Sequence, residues 1–361
     1  MISIAHVQDL LERTDDYTLS LYLNVNPGYL ENQSRTPAWR IQLKNALSAL
    51  EADLKPTAKA AWEHIRIRLD QFLEGYTVGS KGLAIFINPE YERVYELPLP
   101  IDHQYAFGKP LVAPLLWAID EYERYLILLV DQEKAHFVTA YMGSASVNDS
   151  MSLELDTEDW RERTQVPARI GGKTMTQGSH IENVIDRVEE QQERFHREVA
   201  QRAQALIEAE GIDRIIMGGS EQAAHAVRSL MDPKTQRQVI GILPIPVRAA
   251  PHEILAQALP TALEYEREFE AKLVDQVIDM AKSGGRGALG RKDVLKAVDE
   301  GRVELLIVPY ALDDADLRTE LPIRMVQASG TLEMVHGEAA ERLEREGGLA
   351  ARLYYVVQPA G

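Results

Sequence analysis

The most informative absence from this sequence of 361 residues is cysteine, which does not occur at all. Without a thiol, disulfides, thiolate zinc sites, iron–sulfur ligation and a cysteine nucleophile are excluded together. The nine histidines form neither an HExxH pair nor a His-x-His cluster. We therefore expect no metal site and no cofactor.

Long apolar runs and an excess of basic residues are also lacking. No stretch of about 18 apolar residues occurs, and the start of the chain lacks the basic and apolar regions of a signal peptide, so we expect a cytoplasmic protein with no membrane partner. Lysine and arginine number 39 against 56 aspartate and glutamate, which gives a net charge of -17. A surface this acidic does not attract polyanions by its average field, so DNA is not an expected partner and any RNA contact must be local.

The length and the 45% hydrophobic content allow two or three domains, each with its own core. Helical and strand periodicities alternate along the chain, which predicts an α/β fold. The best division has three domains: an N-terminal mixed α/β domain at 1–118, a middle domain at 119–260, and a small C-terminal α/β sandwich at 261–361.

Several local predictions can be compared with a structure. Periodicity predicts a long helix from His180 to Gly211 and a second from Pro251 to Lys282. The proline-punctuated stretch from Pro98 to Pro114 is interpreted as the crossing to the middle domain, and residues 323–326 as a strand.

Two glycine motifs have alternative interpretations. Residues Gly285 to Gly290 match the letters of the dinucleotide fingerprint, but a helix rather than a strand precedes them, so a flexible joint is the better interpretation. The turn Gly218-Gly219-Ser220 is either an anion-binding turn or, as we favour, a strand-to-helix turn with Ser220 as N-cap. No Gly-x-Ser-x-Gly elbow supplies a hydrolase nucleophile.

The segment from 158 to 180 has no usable periodicity, and segments of this kind inside a domain are often functional. Between residues 161 and 180 the one acidic residue is Glu162. Four residues there are basic: Arg161, Arg163, Arg169 and Lys173. Such a local basic loop on an acidic protein is where an RNA contact would be sought. A mobile surface loop with incidental arginines accounts for the same residues equally well.

A set of stretches from Tyr125 onward carries a family resemblance. They are Leu126-Ile127-Leu128-Leu129-Val130-Asp131, the Gly171-Gly172 loop before Arg194-Phe195-His196, Ile215-Ile216-Met217-Gly218-Gly219-Ser220, Asp293-Val294-Leu295-Lys296-Ala297-Val298 before Gly301-Arg302-Val303-Glu304-Leu305-Leu306, and Glu346-Gly347-Gly348-Leu349-Ala350-Ala351-Arg352-Leu353. In this order they resemble the middle and C-terminal domains of Pelota and of archaeal and eukaryotic class-one release factors. The likeness is closest to the bacterial archaeo-eukaryotic release factor families.

The resemblance implies an RNase H-like fold for the middle domain and, for the last domain, a fold like that of kink-turn RNA-binding ribosomal proteins. It also implies binding to the ribosomal A site, with contacts to rRNA and tRNA. The last domain of such factors contacts a translational GTPase or the ribosomal stalk base.

Release factors of this kind carry Gly-Gly-Gln at the loop tip, which positions water against the peptidyl-tRNA ester. Here the corresponding stretch is Gly171-Gly172-Lys173, and the nearby glutamine is Gln177. The candidate catalytic residues implied by the resemblance are therefore Gly171, Gly172 and Gln177. A lysine removes the amide that orients water, so Gln177 could substitute only if the loop tip is shifted along the chain.

Three functional hypotheses follow. The first is a ribosome-associated factor that binds the A site in ribosome rescue or hibernation. It does not read stop codons, because the N-terminal third lacks the Asn-Ile-Lys-Ser signature. The second is a peptidyl-tRNA hydrolase that uses Gln177. The third is a stress-linked protein that binds another RNA or protein on the same fold.

Overall fold

The computed structural model describes residues 2–12, 17–121, 124–153 and 178–355. It is a mixed α/β structure with several separate sheets. The chain divides into two compact units: residues 1–123 together with 266–361 form the first, and residues 124–265 form the second. Over the ranges just given, no helix combines the length and hydropathy that a bilayer-spanning segment requires.

The N-terminal part of the first unit is an antiparallel sheet packed on helices. Its elements are α1 (Ile4–Glu12), β1 (Thr18–Asn24), α2 (Ala38–Ala52), α3 (Lys59–Gly75), β2 (Gly82–Ile87), β3 (Glu92–Leu97), β4 (Gln104–Gly108) and α4 (Ala113–Glu121). The strand order is β3-β2-β1-β4. Alternate leucines of β1, Leu19, Leu21 and Leu23, point to one face, where they pack with Trp39 of α2 and Trp62 of α3.

The interpretation of the stretch from Pro98 to Pro114 as a crossing is wrong, because this stretch contains β4. Residues of β4 pair antiparallel with β1, with Tyr105 opposite Leu21 and Phe107 opposite Leu19. The prolines lie outside the strand and therefore remove none of its ladder hydrogen bonds.

The second unit contains a mixed sheet in the order β7-β6-β5-β8-β9. Its elements are β5 (Tyr125–Val130), β6 (Lys134–Tyr141), β7 (Ser144–Ser152), α5 (Gly178–Glu210), β8 (Arg214–Gly219), α6 (Glu221–Leu230), α7 (Pro233–Gln238) and β9 (Val239–Leu243). β5 pairs parallel with β8 and antiparallel with β6. The all-apolar run of β5 is buried along its whole length, as expected for a strand covered on both faces.

The last part of the chain begins with α8 (Pro251–Lys282), the long helix predicted from the sequence. It continues through β10 (Gly287–Leu289), α9 (Gly290–Asp299), β11 (Val303–Pro309), α10 (Ala315–Gln327), β12 (Thr331–Val335), α11 (Gly337–Arg345) and β13 (Ala350–Leu353). The strands form a sheet in the order β10-β13-β11-β12, which belongs to the first unit.

Two sequence predictions in this part are wrong. Residues 323–326 lie in the helix α10, which begins after Asp314, whose side chain accepts a hydrogen bond from the Leu317 amide at 3.1 Å. The motif from Gly285 to Gly290 is not a flexible joint, because Gly287–Leu289 pairs antiparallel with β13. Glycine is required at 287, since a Cβ there would lie 2.5 Å from the Ala281 backbone nitrogen.

Candidate functional site

All the site residues predicted from the sequence fall between 154 and 177 and lie outside the described residues. They are Gly171, Gly172, Gln177, Arg161, Arg163, Arg169 and Lys173. The structure describes the element that follows this segment directly, which is α5. The candidate site therefore consists of α5 and of the strand ends that it contacts.

Helix α5 has 33 residues, and a stripe of apolar side chains attaches it to the sheet. Phe195, Val199, Ala203 and Ile207 follow each other at intervals of four residues, so they share one face of the helix. This face packs on Leu126, Leu128 and Val130 of β5, in a core that also holds Phe137 and Met217. The second half of α5 is thereby fixed to the centre of the sheet.

The carboxyl ends of the parallel strands β5 and β8 meet beside α5. Asp131 follows β5, and its side chain accepts hydrogen bonds from the amides of Glu133 at 2.8 Å and Lys134 at 2.7 Å. The ring of His196, from α5, lies with Nε2 3.4 Å from the Asp131 carbonyl oxygen and is 9% exposed. The His196 ring thus joins the helix to the turn that follows β5.

The end of β8 is a tight turn that only glycine can form. Gly219 has a φ of +95°, and a Cβ on it would lie 2.1 Å from the Val130 carbonyl oxygen. The same carbonyl accepts a hydrogen bond from the Ser220 amide at 2.9 Å. Ser220 is the N-cap of α6 and accepts from the Ala223 amide, as predicted from the sequence.

A cavity of about 490 Å³ lies between α5, α6 and the turn after β5. We call it the strand-end groove. Its polar lining consists of three amide side chains, two carboxylates, one hydroxyl and one imidazole, from Gln132, Gln192, Gln222, Glu189, Glu193, Ser229 and His196. Gln132 and Gln222 lie just beyond the ends of adjacent parallel strands. This position could be read from the sequence, but neither residue belongs to the motifs described above.

The other end of α5 is held by a polar network on β6 and β7. Asn148 donates to Thr139 Oγ1 at 2.7 Å and to Glu210 Oε1 at 2.8 Å. At the next residue of β7, the Oδ2 atom of Asp149 accepts a hydrogen bond from Arg202 Nε at 2.6 Å. This hydrogen bond, together with the one from the Ser150 amide, lowers the pKa of the Asp149 carboxyl from its ordinary value.

The chemistry available in the strand-end groove is hydrogen bonding by amides and carboxylates. Glu189 and Glu193 make it unfavourable for phosphate, because like charges repel at close range. Across the described ranges, no group of three or more His, Asp or Glu side chains has an arrangement that could hold a metal ion. The strand-end groove is therefore a hydrogen-bonding surface beside α5 that disfavours phosphate.

Comparison with known proteins assigns this part of the chain. Residues 110–263 match a sequence model described as bacterial archaeo-eukaryotic release factor family 10. The Pelota homolog of Pyrococcus furiosus is 27% identical over 185 residues, which are 48% of this chain and 52% of the relative. The chain thus spans about half the length of the curated relatives it matches.

Solved structures of related factors align with the chain at low similarity. A model of ribosome-bound archaeal Pelota and ABCE1 is 14% identical, with 99% of this chain and 95% of that chain covered and a TM-score of 0.48. A translation termination-like factor of S. cerevisiae, involved in RNA quality control pathways, is 12% identical, with 80% and 76% covered and a TM-score of 0.46.

The matches of sequence define the class for part of the chain: this part is similar to the Pelota and release-factor-like proteins. Within this class, its residues 110–263 match the bacterial archaeo-eukaryotic release factor family 10. The family resemblance drawn from the sequence is confirmed.

Proposed function

We propose that the chain is a ribosome-associated translation factor that binds the A site without reading a stop codon and acts in ribosome rescue or hibernation. In this proposal the loop 158–180 points at the peptidyl-transferase centre and contacts rRNA and tRNA, in the cytoplasm. The observation that carries the proposal is the match of residues 110–263 to a release-factor family. That match covers the loop and its stem helix together.

The stem helix supports the proposed role of the loop. The 33 residues of α5 span about 50 Å at the usual rise of an α-helix. Its second half is buried on β5, and its last residue, Glu210, is hydrogen-bonded to Asn148 of β7. In this proposal the loop precedes a helix whose far end is fixed to the sheet.

The charge distribution supports a local RNA contact. The strand-end groove carries Glu189 and Glu193 along α5, and the chain as a whole has a net charge of -17. RNA phosphates are therefore disfavoured in the strand-end groove, whereas the segment with Arg161, Arg163, Arg169 and Lys173 would attract them. We propose that these four residues bind RNA, with Gly171 and Gly172 at the loop tip.

We further propose a three-domain organisation at 1–118, 119–260 and 261–361, with an RNase H-like middle domain. The last domain, which resembles kink-turn RNA-binding ribosomal proteins, would dock a translational GTPase. The first unit supports this division in one respect: it contains two separate sheets, β3-β2-β1-β4 and β10-β13-β11-β12. Each sheet has apolar clusters of its own.

Cosedimentation with 70S ribosomes over a series of salt concentrations tests the proposal. The unaltered protein is expected to pellet with ribosomes at moderate salt. A variant without the four basic loop residues should bind about 10-fold more weakly or worse, with a salt slope reduced by about 3, because fewer counterions are released. The substitutions are Arg161→Ala, Arg163→Ala, Arg169→Ala and Lys173→Ala.

A matched control removes the same charge from exposed positions of the same unit. The control substitutions are Arg194→Ala, Arg197→Ala, Lys234→Ala and Arg237→Ala. Absence of cosedimentation, or equal losses in the two variants, would contradict the proposal. Comparing vacant ribosomes with stalled ribosomes that hold P-site tRNA separates hibernation from rescue, and release of labelled peptide that is lost in Gln177→Ala would instead assign hydrolysis.

A further inference from the structure

One edge of the sheet in the second unit has an unprotected stretch. Strand β7 lies at this edge, and among the described residues β6 is the only strand that pairs with it. The nine residues of β7 include neither lysine nor proline, which natural proteins place on edge strands to prevent pairing with another chain. Its one charged residue, Asp149, is paired with Arg202. The edge is therefore locally neutral, although the chain has a net charge of -17.

The hairpin turn between β6 and β7 determines which backbone groups of β7 point outward. The turn residues Met142 and Gly143 both have a positive φ, +50° and +68°, as in a two-residue type I′ turn. The two residues that flank this turn form a hydrogen-bonded pair. Hydrogen-bonded and non-hydrogen-bonded pairs alternate from there, so Ala145 and Val147 direct their N–H and C=O groups away from β6.

The remainder of β7 is protected by a bulge and by one of its own side chains. The register of the pairing with β6 shifts once, which leaves Asn148 as an extra residue in a β-bulge. Beyond the bulge, the N–H of Ser150 donates to Oδ1 of Asp149 at 2.8 Å. The unprotected part of the edge is therefore the stretch 144–147, where the side chain of Val147 is 47% exposed.

The spacing of the two outward residues fits a second copy of the same strand. We propose that the chain forms a two-fold symmetric dimer in which two β7 strands pair antiparallel, with Ser146 of each copy at the axis. In this register Ala145 of each copy faces Val147 of the other, and each such pair exchanges two N–H···O=C hydrogen bonds. All the outward groups of the two residues are then used. A register centred on 145 or on 147 would form only one such pair.

Side-chain size and charge favour a like strand over a charged peptide. The small side chain of Ala145 lies opposite the branched side chain of Val147, so the dimer covers an exposed valine. The Ser146 side chains meet at the axis without like-charge repulsion. Pairing also closes an edge that is otherwise a template for unspecific strand addition. This inference does not depend on the proposed ribosomal function, since it involves neither the loop 158–180 nor the strand-end groove.

Sedimentation equilibrium of the full chain from about 5 to about 500 µM tests the proposal. The interface is small, so a dimer with a Kd of about 100 µM or below is expected. Val147→Pro should weaken association at least about 10-fold, because it removes one donor per copy. The fold should be kept, since the Val147 N–H does not bond to β6.

A second substitution tests the position of the axis. Ser146→Lys places two like charges opposite each other and should weaken the dimer about 5-fold. The matched control is Ser152→Lys, which adds the same charge to the same strand. It should leave the Kd unchanged, because residue 152 lies more than a Debye length, about 8 Å, from the axis at physiological salt.

The absence of cysteine allows a direct test of the register. Opposite residues of a non-hydrogen-bonded antiparallel pair have Cα atoms about 4.5 Å apart, which is within disulfide range. Ser146→Cys should therefore give a disulfide-linked dimer when oxidised glutathione is added. Ser152→Cys should not, since its two copies would lie about 40 Å apart.

Three results would overturn the proposal. They are a monomer up to about 500 µM, association that is unchanged in both Val147→Pro and Ser146→Lys, and equal cross-linking of Ser146→Cys and Ser152→Cys. An edge that binds an extended peptide of another protein instead of a second copy would give the first of these results.

Discussion

The strand-end groove is similar in volume to a cavity of about 500 Å³ between residues 99–118 and 310–319, the aromatic cavity, but the two differ in their lining. The groove is lined by amides and carboxylates, and its shape is set by backbone turns at Asp131 and Gly219. The cavity is lined by rings and a guanidinium, and its shape is set by side chains such as Trp117 and Arg318. The first presents carboxylates, which disfavour phosphate, whereas the second presents a guanidinium packed on two aromatic rings.

This difference teaches that a chain with a net charge of -17 can still differ in charge from one cavity to another through local composition. It also predicts different responses to substitution. The groove should be sensitive to backbone changes, and the cavity to the loss of buried side-chain charge.

The largest expected effect is on the backbone of the strand-end groove. Gly219→Ala should lower the free energy of unfolding by about 3 kcal/mol, because the residue must keep a positive φ and its Cβ would contact the Val130 carbonyl. Urea unfolding followed by circular dichroism measures the loss.

The control for this substitution is Gly143→Ala, in the turn between β6 and β7. Its φ is +68°, but no atom lies within 4 Å of the added Cβ, so the expected loss is only about 1 kcal/mol. Equal losses at the two positions would mean that the close approach to Val130 does not stabilise the end of β8.

A smaller effect is expected from the buried carboxylate that supports the aromatic cavity. Glu270→Gln should cost about 2 kcal/mol, because Glu270 is 1% exposed and pairs with His336 and Arg267. Thermal unfolding of the full chain measures it. The neighbouring Glu268→Gln breaks only an exposed pair with Lys272 and should cost below about 0.5 kcal/mol. A similar cost for both substitutions would mean that Glu270 does not stabilise the His336 ring that stacks on Tyr310.

The smallest effect is a pH dependence of the pair that Asp149 of β7 forms with Arg202 of α5. Because the pKa of Asp149 is lowered in the folded protein, the pair stabilises above the ordinary pKa of 3.8 and loses its effect as the pH falls through the folded value. Asp149→Asn should therefore be less stable than the unaltered protein at pH 6, by below about 1 kcal/mol, and the difference should shrink as the pH falls below 3.8. A difference that does not depend on pH would point to packing instead.

Local sequence patterns predicted the elements that depend on apolar periodicity and on helix capping. The stripe of Phe195, Val199 and Leu206 identified α5, and the all-apolar β5 identified a buried strand. The capping role of Ser220 also followed from its place between a strand and a helix. Residues 323–326 are part of the helix α10 although Pro322 lies inside it, because the tertiary packing of Leu321 and Met325 outweighs the cost of a missing amide.

The aromatic cavity could not be found in the same way. Trp117 and Arg318 are 201 residues apart in the sequence, and nothing local to either predicts their contact. The strand β12 was missed for a related reason, since it is short and half-exposed and obtains its stability from parallel pairing with β11. A site formed by segments that are distant in sequence can be recognised only in the folded structure.

The two compact units differ in the stage of synthesis at which all their residues become available. The second unit is one continuous segment, 124–265, and can fold as soon as that segment has emerged. The first unit cannot, because β13 lies between β10 and β11 and supplies residues such as Leu353 to the core that contains Trp117. The aromatic cavity is therefore completed only after almost the whole described chain has been translated, whereas the strand-end groove can form earlier.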